Sequence, residues 1–122
     1  MKLRLNDGSL RLRLSQSEVN AVINGKVVKE SLNFGVNGGY FNYLLLVSSE
    51  ANEIYATIKS NEIRITVPES QVMDWAKTDM VGLYNQPNNS MTIAIEKDFQ
   101  CLHQRVGEDE TDNYPNPKAK VN

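Results

Sequence analysis

Apolar and basic residues alternate without a break in Leu10-Arg11-Leu12-Arg13-Leu14. Successive side chains of a strand point to opposite faces, so this run has a leucine face and an arginine face. Only the leucine face belongs in a core, and the segment reads as a half-buried strand. The same alternation runs through Lys2-Leu3-Arg4-Leu5, and Asp7-Gly8 between the two runs is a strong hairpin signal. Ser15-Gln16-Ser17-Glu18 then matches a capping box, with Ser15 as cap and Glu18 reaching back. The spacing predicts a helix over 16–23, with Val19, Val22 and Ile23 inward and Asn24-Gly25 as its stop.

Further strands are expected over 27–34, 40–48, 54–58, 63–67, 80–85 and 91–96. Asn61-Glu62 and Gln86-Pro87-Asn88-Asn89 are read as turns. Pro68 suits the first turn of a second helix over 69–77, with Val72, Trp75 and Ala76 inward. Each half then reads strand, strand, helix, strand, strand. Leu10 to Val19 aligns without gaps on Ile63 to Val72, apolar positions matching throughout, although the identities are only Arg11/Arg64, Ser17/Ser70 and Val19/Val72. The expected fold is mainly β (α+β): about eight antiparallel strands and two short helices, from a duplicated ββαββ unit or from a chance echo of one. Eight strands can close into a small barrel or stay open as a sandwich. Residues 1–103 are read as the domain and 104–122 as an acidic, proline-containing tail partly docked on it.

At 122 residues the chain is one domain long, and such a domain buries a core without staples. A net charge of −2 gives no general attraction for nucleic acid or anionic membrane. The single cysteine forms no internal disulfide, which suits a reducing cytoplasm. The run Leu44–Val47 is too short to span a membrane, and the first residues lack the apolar run of a signal peptide.

Four groups of residues could carry chemistry. Lys2, Arg4, Arg11 and Arg13 lie opposite the leucines, where arginine forks suit phosphate or carboxylate; the ordinary alternative is a solvated sheet face. No aromatic residue sits among them to stack a base. Glu96-Lys97-Asp98 ends the last strand, and period two from Ile93 and Ile95 puts Lys97 on the apolar face. There the strand bulges or the lysine buries its stem at the rim, and the trio is a tuned acid–base or a structural ion pair. Cys101 and His103 share a strand face as two metal ligands would, but zinc wants more ligands than this chain has cysteines and histidines. Glu108, Asp109, Glu110 and Asp112 could complete such a site or hold a hard cation. Acid runs are usually solvated, but docking on the basic hairpin face of this chain or of a partner is the better-motivated reading, followed by the stiff Tyr114-Pro115-Asn116-Pro117 segment.

The pattern Ile95-Glu96-Lys97-Asp98-Phe99-Gln100-Cys101-Leu102-His103, then Gly107 to Glu110, Asp112 and Tyr114 to Pro117, resembles a family of small bacterial proteins of unknown function. The run Leu10 to Val19 is similar to that family's opening, so the resemblance extends from near residue 1 to about 117. It implies a bacterial, cytosolic protein and brings no activity or catalytic residue with it. The leading expectation is a non-enzymatic binding or accessory module for a protein or a small anionic ligand, with no cofactor. The alternative is a metal-dependent protein or enzyme using Cys101, His103 and the tail carboxylates. A homodimer joined at a strand edge is a third.

Overall fold

A computed structural model describes residues 1–86, 91–102 and 107–119. In chain order it contains β1 (Lys2–Asn6), β2 (Ser9–Leu14), α1 (Gln16–Ile23), β3 (Val28–Asn33), β4 (Tyr40–Ser48), β5 (Tyr55–Lys59), β6 (Glu62–Pro68), α2 (Glu69–Lys77), β7 (Gly82–Tyr84), β8 (Thr92–Lys97) and a 3₁₀ turn, Pro117–Ala119. The strands form two four-stranded sheets, ordered β1-β2-β8-β7 and β3-β4-β6-β5.

Local signals explain the helices. Ser15 accepts from the Glu18 N–H, and the Glu18 carboxylate accepts from the Ser15 N–H at 2.9 Å, so the capping box is complete. Gly25 follows the C-cap Asn24 at φ +81°, a left-handed conformation that costs glycine little. Pro68 caps α2 from the end of β6 rather than lying in its first turn. The β5–β6 turn falls at Ser60-Asn61, with Ser60 at φ +55°, and Glu62 already pairs with Lys59. The expected turn at Pro87-Asn88-Asn89 lies outside the described residues.

The strands and helices are those expected, but the sheets are mixed. β2 pairs parallel to β8, and β4 parallel to β6, while the hairpin pairs are antiparallel. Each half sends its first hairpin to one sheet and its second to the other. Replacing β1, β2, β8 and β7 by their counterparts β5, β6, β4 and β3 turns the first sheet's order into the second's, read from the opposite edge. The register agrees as well: Leu14 pairs with Lys97, and its counterpart Val67 pairs with Val47. The echo in the sequence is therefore a structural pseudo-twofold.

No backbone pairing among the described residues joins the two sheets, so the architecture is a sandwich-like pair and not a closed barrel. One core unites Leu10, Leu12, Leu14, Ile93 and Ile95 of the first sheet with Val28, Leu45, Ile65 and Val67 of the second, and with Val19, Val22, Val72 and Trp75 of the helices. The Trp75 indole N–H donates to the Val81 carbonyl at 3.0 Å, fixing the connection from α2 to β7.

Candidate functional site

Burial of the β2 leucines commits its arginines to the outer face of the first sheet. Lys2 then stands directly opposite Arg13, and Arg4 directly opposite Arg11. Like charges in such cross-strand positions are destabilising. Glu96 on β8 relieves part of this, with Arg11 Nε at 3.1 Å and Arg13 Nε at 3.8 Å, and Lys2 Nζ lies 3.0 Å from Asp98. The Tyr84 hydroxyl also donates to Glu96 at 2.8 Å, and burial followed by this bond raises the phenol pKa. Arg4 makes no ion pair among the described residues. Beside it Asn6, Ser9, Thr92 and Ala94 leave a shallow cleft of about 180 Å³, with Arg4 and Arg11 on its wall. The pseudo-symmetric face of the second sheet has Thr57 opposite Arg64 and Tyr55 opposite Thr66, so the doubled cations belong to one half only.

Lys97 points the other way. Glu96 serves the outer face, whereas Lys97 is only 5% exposed on the core side. The expected trio therefore does not converge, because alternation along β8 separates its members. Lys97 Nζ donates to the Thr78 carbonyl at 2.6 Å and lies 5.3 Å from the centroid of the Tyr114 ring. Loss of hydration by burial lowers its pKa, against an opposing pull from the Asp79 charge. It lines a cleft of about 520 Å³ bounded by Ala76, Val81, Phe99, Tyr114 and Pro115, with Lys77 and Asp79 at its margin.

One wall of that cleft is the tail, which runs parallel to the continuation of β8. Phe99 and Tyr114 form a parallel bridge, with Tyr114 N–H donating to Asp98 O at 2.8 Å and Gln100 N–H to Tyr114 O at 2.7 Å. Their rings lie 5.9 Å apart. Asp112 reaches the start of α1, where its carboxylate accepts from the Ser17 hydroxyl and, at 3.3 Å, from the Ser17 N–H. Its own carbonyl accepts from the Gln16 N–H at 2.9 Å.

The described tail contacts thus run to α1 and to residues 98–101, and not to Lys2, Arg4, Arg11 or Arg13 as the charge pattern led us to expect. Free N–H groups at a helix start take a carboxylate more specifically than a solvated basic face does. The carboxylates also diverge: Glu110 is buried and accepts from the Cys101 N–H at 3.1 Å, while Asp109 accepts from the Thr111 N–H at 3.0 Å. Among the described residues no three acidic, cysteine or histidine side chains are grouped to hold a metal ion, and His103 lies outside those residues.

The sequence reading found the four cations and the inward turn of Lys97. It missed Tyr84, Ser17 and Tyr114 as partners, since their contacts depend on which strands and loops become neighbours. The sequence model of a family of unknown function, DUF7009, matches residues 1–118. No curated protein and no solved structure matches the chain.

Proposed function

We propose, for a chain that belongs to the family of unknown function DUF7009, a non-enzymatic binding module that holds an anionic group on the outer face of its first sheet. The observation that carries this reading is the pair of like-charged contacts, Lys2 opposite Arg13 and Arg4 opposite Arg11. Such an arrangement is destabilising unless anions fill it; Glu96 reaches Arg11 and Arg13 and Asp98 reaches Lys2, which leaves Arg4 without a carboxylate among the described residues. The adjoining cleft of about 180 Å³ suits a phosphate or carboxylate group of a small ligand or of a protein partner. Ser9 and Thr92 line the same cleft and bring hydroxyl groups that can donate to an oxyanion. The resemblance of the opening and tail to small bacterial proteins supports a bacterial, cytosolic setting.

The test is calorimetric titration with inorganic phosphate and pyrophosphate at two salt concentrations. We expect pyrophosphate to bind, weaken as salt rises, and lose most of its affinity in the Arg4→Thr/Arg11→Thr variant. No binding heat with wild type, or equal affinity in the double variant, would overturn the reading.

A further inference from the structure

The fold fills the counterpart position of Lys97 with Val47, a partly buried apolar residue. Packing at this point therefore requires no amine. Putting an ammonium here strips it of water, an unfavourable change that the valine avoids. What the lysine adds is an amine beside the cleft of about 520 Å³, whose walls include Phe99, Tyr114 and Pro115.

The described residues give the amine one hydrogen-bond partner. Lys97 Nζ carries three protons when charged, and the described hydrogen bond uses one, to the Thr78 carbonyl. The Tyr114 ring attracts the charge without accepting a full hydrogen bond. No carboxylate of the described residues lies within ion-pair distance of it. The charged or titratable groups lining the cleft beside it are Lys77, from α2, Asp79, from the connection to β7, and Tyr114, from the tail. Burial favours the uncharged amine and Asp79 opposes this. A lysine desolvated in apolar surroundings is the usual form of an activated amine nucleophile.

We propose that Lys97 Nζ is a nucleophilic amine that condenses with small aldehydes or ketones entering this cleft. The ammonium first releases a proton to solvent. The neutral nitrogen attacks the carbonyl carbon and forms a carbon–nitrogen bond. Its two remaining protons leave with the carbonyl oxygen as one water, and a carbon–nitrogen double bond results. No oxidant or further reactant is needed. The site is distinct from the outer basic face, because Lys97 and Glu96 occupy opposite sides of β8.

The experiment treats the full chain with propanal and cyanoborohydride, which reduces an imine to a stable secondary amine, and maps the modified lysines by mass spectrometry. Lys2, Lys29 and Lys59, on outer faces of the two sheets, are internal controls. At pH 7 we expect Lys97 to be modified severalfold faster than these, because burial lowers its pKa and the cleft admits the aldehyde. A purely structural buried lysine would react more slowly than the controls, and modification of Lys97 at or below their rate overturns the proposal. Lys97→Arg keeps a cation and should abolish the fast adduct. A fast adduct that persists in that variant assigns the reactivity elsewhere and also overturns it. The wild-type comparison decides the question if the variant fails to fold.

Discussion

Lys97 holds in the second half of the molecule the place that Val47 holds in the first: each lies beside an inward residue of the neighbouring parallel strand, Leu14 for Lys97 and Val67 for Val47. The stem of Lys97 does the work of an aliphatic side chain, and the amine is an addition to it. Lys97→Met keeps most of that stem and removes the buried charge. Its stability is expected within about 1.5 kcal/mol of wild type, or above it, in urea unfolding followed by Trp75 fluorescence. Any advantage of the variant should narrow as pH rises. The folded-state pKa of Lys97 is lowered, so between that value and the unfolded value of about 10.4 the unfolded chain binds more protons and the wild type gains stability. An unchanged gap across that alkaline window would show that burial does not disfavour the ammonium.

Local physics made most of the fold legible. Period two in Leu10 to Leu14 set the inner face of β2, and the capping box at Ser15 set the start of α1. The parallel pairings were not legible. β2 and β8 are joined by no turn, and nothing in either strand states that the second hairpin of each half crosses to the other sheet. The tail shows the same limit. Opposite charge suggested the basic hairpin, but Asp112 answers to the N–H and hydroxyl of Ser17, groups that become a target only once Ser15 has opened the helix. Lys97 was legible by periodicity alone, whereas the aromatic ring over it comes from the tail.

Arg4 faces Arg11 and makes no ion pair among the described residues, and its pseudo-symmetric counterpart is Thr57. Arg4→Thr imports the other half's solution. We expect a gain of about 0.2–1 kcal/mol at low ionic strength, from removal of a like-charge pair. The gain should fade as salt screens the remaining charges. Thermal melts at two salt concentrations measure both effects. The same substitution is expected to weaken pyrophosphate binding, so stability and binding should move in opposite directions. Destabilisation by Arg4→Thr would mean that the packing of the arginine stem outweighs the repulsion.

Gly82 lies beneath the bridge between Tyr84 and Glu96. A Cβ there would come within 2.8 Å of Glu96 Cγ and 2.9 Å of the Tyr84 hydroxyl, and 3.0 Å from the Ile95 carbonyl oxygen. The side chains can shift, but the carbonyl belongs to the paired β8 backbone. Gly82→Ala is therefore expected to cost about 1–3 kcal/mol and to disturb the pairing of Glu96 with Arg11 and Arg13. Denaturant unfolding measures the first effect. Salt dependence of stability measures the second, since a displaced Glu96 leaves the repulsion among cations stronger at low salt.

Asp112 ties the tail to α1, and hydrogen bonds from the Ser17 and Ser15 hydroxyls lower its pKa. A lowered carboxylate pKa contributes stability in full above the unfolded value of about 3.9 and loses it as pH falls through the folded value. The tail should accordingly loosen in acid below about pH 4. Asp112→Asn removes the charge at every pH, so at neutral pH it should resemble the wild type at low pH and show little further change on acidification. Hydrogen exchange reports this directly at the N–H groups of Gln100 and Tyr114, which pair the tail with the end of the first sheet. We expect faster exchange at both in the variant at pH 7. Equal protection in wild type and variant would assign the docking to the remaining contacts, such as the Phe99–Tyr114 bridge and the Gln16 and Cys101 hydrogen bonds, and not to the Asp112 charge.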